Sequence, residues 1–370
     1  MELKEYRFDE VTINFDKKRV PLSGAQREKR KGKYRYYGAQ GVIDHIDDFI
    51  FDGTYLLIAE DGENLKSKKQ NIAQVVEGQF WVNNHAHIVQ GNELCDTRYL
   101  SYLLNSIDLS GYVTGSAQPK LSQANLNAVT LFLPPIFIQK KIVDYLYLFD
   151  KKIAVNQQIN DNLADLLQTV YQEHFGDVIS AADQGILSDI CSFSKDKVAV
   201  SKLDVSTYFS TENMLPGKFG ATEATSLPTT PQTTACHEGD TLISNIRPYF
   251  KKIVYCEGEC GCSTDVLCFT PAQPRYAAYL FSTLYADKFF AFMVAGSKGT
   301  KMPRGDKQQI MTYPVALPSD EELEEFNALA FHILMQIHSN RGENKRLSAV
   351  RDALLPKLMS GELDVSEVNF

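Results

Sequence analysis

The chain has 370 residues, of which 44% are apolar and 23% charged, and its formal net charge is −8. This length exceeds the ~250–300 residues at which a single hydrophobic core stops growing, so it predicts at least two domains. The composition excludes collagen-like, low-complexity and mostly disordered classes. No apolar run approaches the ~18–20 residues of a membrane span, and the charged start of the chain argues against a secretory signal. The odd count of seven cysteines favours a reduced, cytoplasmic protein over a disulfide framework. The lack of a membrane-length apolar run predicts no membrane partner.

The acidic average hides a strongly basic segment between residues 17 and 35. It holds nine basic residues and one acid, Glu28. Because the local field rather than the net charge governs contact with a polyanion, this segment is compatible with nucleic-acid binding. The alternative interpretation is a solvated loop.

The first part of the chain predicts a mixed globular fold. Strand composition marks Tyr55–Ile58, Phe80–Val89 and Val129–Leu133, and a helix is predicted at Tyr99–Ile107.

A long helix is predicted next, from Ile136 to Phe175. Its apolar residues recur at alternating steps of four and three, which is the seam of a coiled coil. Asn156 and Asn160 interrupt the seam, as buried asparagines that fix register do. A polar linker, Gly176–Gly185, follows.

The second half repeats this order. Strands are predicted at Thr241–Ile246, Lys252–Tyr255 and Val266–Thr270, and a helix at Ala277–Phe292.

The final helix repeats the seam of the first with an offset of 184 residues. Asn340 and Asn344 occupy the positions of Asn156 and Asn160, so we expect these asparagines to meet across a helix pair. Upstream, Gly115–Lys120 parallels Gly296–Lys301. Two unrelated amphipathic helices are the alternative, but the coinciding asparagines favour an internal repeat.

Several sequence strings resemble the specificity subunits of type I restriction-modification systems. They are Tyr36-Tyr37-Gly38-Ala39-Gln40-Gly41-Val42, the stretch from Phe51 to Gly62, Trp81-Val82-Asn83-Asn84-His85-Ala86-His87, the stretch from Gly239 to Phe250, and the end from Asn340 to Gly361. The chain departs from the family in a short leader before the first domain and in Ile138-Gln139-Lys140, where many relatives have an acid before the glutamine.

The resemblance implies an α+β fold: two globular mixed α/β target-recognition domains, separated by two long antiparallel coiled-coil helices in a pseudo-twofold repeat. The implied boundaries are 1–135 for the first domain, 136–176 for the central helix, 177–318 for the second domain and 319–370 for the last helix and tail.

The resemblance also implies a DNA-recognition subunit without catalysis of its own. Each domain would read one half of a bipartite target in double-stranded DNA, and the helices would fix the spacing. Two methyltransferase subunits, and potentially restriction subunits, are the implied protein partners. No cofactor is expected in this chain, since S-adenosylmethionine would be bound by the methyltransferase.

Basic, amide and aromatic side chains are the candidates for DNA contact, because lysine and arginine bind phosphates while arginine and amides read base edges. In the first half they are Arg27, Lys29, Arg30, Lys31, Lys33, Arg35, Tyr36, Tyr37, Lys66, Lys68, Lys69, Gln118 and Lys120. In the second half they are Arg247, Lys251, Lys252, Lys298, Lys301 and Arg304. The glycines of the two loops would let the backbone approach phosphates.

Other interpretations carry less weight. Cys236, Cys256, Cys260, Cys262 and Cys268 lack the Cys-x₂-Cys pairs usual in zinc sites, so we expect buried free thiols and no metal. His85 and His87 are expected to be structural, and Asp61, Glu63 and Lys66 to form a turn rather than a nuclease centre. A coiled-coil interaction adaptor without DNA binding, and a silent specificity subunit, stay open as alternatives.

Overall fold

The computed structural model describes residues 2–67, 70–115, 118–176 and 184–365. Lys68, Lys69 and most of the predicted linker lie outside these ranges. The chain divides into two compact units, residues 1–154 with 344–370 (unit 1) and residues 155–343 (unit 2). Each unit therefore contains one globular part and about half of each long helix.

Unit 1 begins with a globular part of eight strands and five short helices. In chain order these are β1 Lys4–Arg7, α1 Phe8–Val11, β2 Thr12–Asn14, α2 Gly24–Glu28, β3 Lys31–Gly38, β4 Gly41–Ile46, β5 Phe51–Ala59, α3 Asn64–Ser67, β6 Ala73–Val82, β7 Ala86–Gly91, α4 Thr97–Ser106, α5 Gln123–Asn127 and β8 Thr130–Leu133.

The main sheet of unit 1 has six strands in the order β2-β7-β5-β6-β3-β4. Its central strand, β5, is buried at Leu56, Leu57 and Ile58 and pairs antiparallel with both β6 and β7. The single strand predicted at Phe80–Val89 is wrong, because the chain turns there and forms the ends of two strands. Asn83 stabilises this turn by accepting a hydrogen bond from the His85 N–H at 2.8 Å.

The long helix α6 spans Ile136–Phe175, as the seam predicts. Unit 2 continues with β9 Gln184–Ile186, α7 Leu187–Ile190, β10 Cys191–Phe193, β11 Lys197–Ala199, β12 Tyr208–Phe209, β13 Gln232–Cys236, β14 Thr241–Ser244, β15 Ile253–Tyr255, β16 Cys260–Cys262, β17 Val266–Pro271, α8 Ala277–Tyr285, α9 Asp287–Ala295, α10 Lys307–Met311 and β18 Pro314–Ala316. The last helix, α11, spans Asp320–Ser360.

Unit 2 contains two four-stranded sheets, β10-β17-β14-β15 and β11-β13-β16-β12. The first repeats the order β2-β7-β5-β6 of unit 1, so the internal repeat extends to strand order. The single helix predicted at Ala277–Phe292 is wrong. Ala286 adopts an extended conformation, with ψ of 140°, and separates α8 from α9.

The predicted coiled-coil seam is confirmed. In unit 1, Ile142 and Leu146 of α6 are buried in the same core as Leu358 of α11. In unit 2, Leu167 and Val170 of α6 share a core with Phe326, Ala330, Ile333 and Ile337 of α11. Burial of these stripes is what holds each half-helix against its partner.

The start of α11 is fixed by a capping box. The Ser319 hydroxyl accepts the Glu322 N–H at 3.3 Å, and the Glu322 carboxylate accepts the Ser319 N–H at 2.8 Å. Two donors that the first helical turn leaves unpaired are thereby satisfied. Across the described residues, no helix combines the length and apolarity that crossing a membrane requires.

Candidate nucleic-acid interface

The basic segment 17–35 of unit 1 is mostly folded and largely charge-compensated. It is not one solvated loop, because most of it lies in α2 and β3. Arg27 pairs with Asp44 at 3.0 Å, Arg30 with Asp47 at 2.8 Å, and Lys31 with Asp44 at 2.9 Å. Acids from β4 and the following turn thus neutralise much of the charge that the sequence places here.

Tyr36 and Tyr37 are not positioned to contact a ligand. Their side chains are 0% and 4% exposed, because successive residues at the end of β3 are covered on both faces. The Tyr36 hydroxyl accepts the Leu22 N–H at 2.8 Å, and the Tyr37 ring packs against Phe80. We therefore correct the sequence-based assignment: both tyrosines support the fold of unit 1.

Three of the candidate cations in the segment keep a less compensated charge. Lys29, Lys33 and Arg35 are exposed and, within the part of the chain that the structure describes, form no ion pair. Arg35 donates to the backbone carbonyl of Glu77 at 2.9 Å. Lys66 is exposed on α3. Lys68 and Lys69 lie outside the described residues.

A hairpin loop from Thr114 to Lys120 (the first hairpin loop) is closed by two backbone hydrogen bonds. Thr114 and Lys120 exchange N–H···O bonds of 2.8 Å each. Gly115 has φ of +85°, and a Cβ there would stand 2.3 Å from the Gln118 carbonyl oxygen, so this position requires glycine. Gln118 and Lys120 are exposed, as a contact surface needs.

The Lys120 ammonium is held by a buried polar network. It lies 3.3 Å from Glu60, which also accepts a hydrogen bond from Arg19 at 2.8 Å. Burial would raise the pKa of the Glu60 carboxyl, but Arg19, His87 and Lys120 together lower it. Glu60 therefore stays ionised and fixes the base of the loop.

Unit 2 contains the equivalent loop from Lys298 to Arg304 (the second hairpin loop). These two residues exchange N–H···O bonds of 2.9 Å each, and Gly299 has φ of +100°. The loop equivalence is therefore Gly115 with Gly299, an offset of 184 residues that matches the helices. The alignment of Gly115 with Gly296 was wrong by three residues, because Gly296 has an ordinary negative φ of −89° at the end of α9.

The second hairpin loop lies beside the turn formed by residues 247–252. The Arg247 N–H donates to the Pro303 carbonyl at 2.8 Å, so the structure brings Arg247 together with Lys301 and Arg304. Most cations here have partners: Lys251 pairs with Asp287 at 3.0 Å, Arg304 with Asp265 at 3.0 Å, and Lys298 with Asp306.

Lys252 differs from its neighbours. It is half-buried and donates to the Thr211 carbonyl at 2.6 Å, and burial lowers the pKa of its ammonium group. Its side chain is committed to the fold of unit 2.

The four seam asparagines lie in the helix pair, but they do not all meet each other. Asn340 donates to Asn160 at 2.8 Å, which joins α11 to α6 within unit 2. Asn156 donates to Glu343 at 2.7 Å rather than to an asparagine. Asn344 donates to the Ile153 carbonyl at 3.4 Å within unit 1. The partner residue on α11 has a lower number the further along α6 the contact lies. The two helices are therefore antiparallel.

The cysteines of the second half are buried and free: Cys236, Cys256, Cys260, Cys262 and Cys268. They form one apolar cluster with Met214, Leu242, Val254 and Val266. Among residues 2–67, 70–115, 118–176 and 184–365, no group of three or more His, Cys, Asp or Glu is arranged to hold a metal ion.

The two histidines are hydrogen-bonded within unit 1. His87 is buried and bonds Asp16 at 2.6 Å and the Leu121 carbonyl at 2.8 Å. His85 bonds Asp61 at 2.7 Å, so Asp61 is part of a turn network.

Part of the chain is similar to known proteins. Residues 2–164 match the type I restriction modification DNA specificity domain. A putative type I restriction enzyme specificity subunit of Haemophilus influenzae is 33% identical over 138 residues, which are 37% of this chain and 35% of that protein. The type I restriction enzyme EcoprrI specificity subunit of Escherichia coli is 29% identical over 125 residues, 33% of this chain and 30% of that protein. The chain thus matches these curated relatives over about a third of their length.

The fold extends further than the sequence similarity. The crystal structure of a type I restriction-modification system S subunit from M. genitalium aligns with a TM-score of 0.58 over 97% of this chain and 96% of that chain, at 16% identity. The two chains share a fold, which confirms the predicted fold class.

Proposed function

We propose that this chain supplies the sequence specificity of a type I restriction-modification complex. Its residues 2–164 match the type I restriction modification DNA specificity domain, which supports this proposal. The observation that supports this most is the repeated hairpin loop. Each unit presents a glycine-dependent loop at the same topological position, with an exposed cation on it, Lys120 in unit 1 and Lys301 in unit 2.

In this proposal each unit contacts one half of a bipartite target in double-stranded DNA. Lysines such as Lys33, Lys120 and Lys301 bind phosphates and so supply affinity and register. These phosphate contacts carry no sequence information. Gln118 and Arg247 are suited to base edges, since amides pair with adenine and guanidinium groups with guanine.

The helix pair has a separate role in the proposal. A helix of 40 residues is about 60 Å long at ~1.5 Å per residue, and its paired seam makes it rigid. It sets the spacing between the half-sites and docks two methyltransferase subunits, with restriction subunits as further potential partners. The chemistry belongs to these partners: S-adenosylmethionine binds the methyltransferase, and this chain contributes no catalytic residue.

The proposal is tested by selecting bound duplexes from a randomised DNA pool with the purified complex of this chain and its methyltransferase subunit. We expect one bipartite consensus and an affinity that falls steeply with salt. Lys301→Ala should weaken binding to every sequence alike and reduce the salt slope by about 1, because one phosphate contact is lost.

The control is Lys288→Ala, which removes another exposed lysine of unit 2 that is not among the candidates. It should leave binding unchanged. Recovery of no consensus, with affinity insensitive to salt, would contradict the proposal and favour a coiled-coil adaptor without DNA binding.

A further inference from the structure

Arg247 occupies a backbone position that is glycine in the other unit. In unit 1 the Gly62 N–H donates to the Pro119 carbonyl at 3.1 Å, and in unit 2 the Arg247 N–H donates to the Pro303 carbonyl at 2.8 Å. Pro119 and Pro303 are equivalent residues of the two hairpin loops. Gly62 and Arg247 are therefore equivalent too, each just beyond the central strand, β5 or β14.

This position requires a left-handed backbone in both units. Gly62 has φ of +115° and Arg247 has φ of +51°. Glycine adopts such a conformation without strain, whereas arginine does so against the steric clash of its Cβ. A strained residue that the surrounding structure holds in place suggests a role for its side chain.

The Arg247 guanidinium is only weakly bonded within the fold. Its Nε is buried and has no hydrogen-bond partner among the described residues. Its Nη2 makes one long contact, 3.5 Å, with the Lys301 carbonyl. Within the described ranges it forms no ion pair, whereas Lys251, Lys298 and Arg304 around it all do. The strained backbone therefore positions a guanidinium that has one long bond to a carbonyl and, among the described residues, no anionic partner.

We propose that Arg247 is a specificity-determining residue of unit 2, which reads a guanine through paired hydrogen bonds to its O6 and N7. This deepens the proposed function and rests on it. A planar guanidinium fork matches the two acceptors of a guanine edge in the major groove, which a point charge such as lysine does not.

The rest of the turn fits contact with bases. Tyr249 and Phe250 are 49% and 40% exposed, with ring centroids 4.8 Å apart. They lie in the helical turn Pro248–Phe250 directly after Arg247. Apolar side chains beside a guanidinium can pack against neighbouring bases, for example the methyl group of thymine.

The test compares Arg247→Gly with the unchanged chain, each co-expressed with the methyltransferase subunit, by mapping methylated bases in host DNA. Glycine relieves the strained conformation, so the variant should unfold at the same or a higher urea concentration. We expect the motif to relax at one G·C pair in one half, with at least tenfold less discrimination there, while the other half is unchanged. Arg247→Lys should retain methylation but not the discrimination.

Lys218→Gly is the matched control. Lys218 is also basic, left-handed with φ of +68° and in unit 2, but its ammonium is bonded to Asp287 at 2.7 Å. Its replacement should leave the motif intact. If the unchanged chain gives a motif and Arg247→Gly does not relax it, only this inference is overturned. If the unchanged chain gives no motif, the proposed function itself is overturned.

Discussion

At the residue scale, whether a basic candidate residue is free to contact DNA depends on which carboxylates the fold places beside it. The basic segment of unit 1 looks like a uniform patch in the sequence, yet Arg27, Arg30 and Lys31 face carboxylates that follow about 15 residues later in β4 and its turn. Counting charge along the chain cannot show such pairing across strands. The same applies to Tyr36 and Tyr37, whose burial follows from the coverage of β3 on both faces.

The ion pairs of Asp44 with Arg27 and Lys31 make the free energy of unfolding depend on pH in the acid range. Hydrogen bonds from Lys31 and from the His45 N–H lower the pKa of Asp44 from 3.8 to about 2. A carboxyl with a lowered pKa in the folded state stabilises it above pH 3.8, and this contribution is lost as the pH falls toward 2. The stability difference between the unchanged chain and Asp44→Asn should therefore shrink over this window in urea unfolding. A difference that is constant with pH would contradict the assignment.

The Asn160–Asn340 pair is expected to specify the helix register at a cost in stability. Asn160 Nδ2 is buried and finds no partner in the part of the chain that the structure describes, so the pair is only partly satisfied. Replacing both asparagines by leucine should raise the free energy of unfolding, while Asn340→Leu alone should lower it by roughly 1–3 kcal/mol, because it leaves the Asn160 carbonyl unpaired. A double-mutant cycle by urea unfolding measures this, with the exposed Asn162→Leu as control. Purely additive effects would contradict the pairing.

At the element scale, the hairpin loops show what sequence patterns can locate and what they cannot. Glycine content identified both loops, but it paired Gly115 with Gly296, whereas the positive φ belongs to Gly299. The distinction depends on backbone conformation, which residue type alone does not determine. In the same way, the extended Ala286 divides a continuous apolar run into α8 and α9.

Gly115→Ala is expected to disrupt the first hairpin loop. A Cβ at this position would stand 2.3 Å from a backbone oxygen, in a left-handed conformation that alanine disfavours. We expect at least a tenfold loss of specific DNA binding by the complex and a modest loss of stability, about 1–3 kcal/mol. Gly111→Ala, where a Cβ meets no atom of the described residues within 4 Å, is the control. Equal binding by the two variants would remove this loop from the interface.

At the scale of the whole molecule, the repeat is the feature that the sequence predicts best. A single offset of 184 residues relates the seams, the hairpin loops, α5 to α10 and β8 to β18. Buried positions of a helix recur as regularly spaced apolar residues in the sequence, so the long helices and their pairing could be predicted. The contact residues could not, because strand pairing decides which cations face acids and which face solvent.

The most direct test of the account is to map methylated bases in host DNA after co-expression of the unchanged chain with its methyltransferase subunit. We expect one motif with two defined halves separated by a gap of fixed length. Arg247→Gly, in the turn beside the second hairpin loop, should alter only one half. A continuous motif, or one whose two halves change together, would contradict the claim that each unit reads its own half-site.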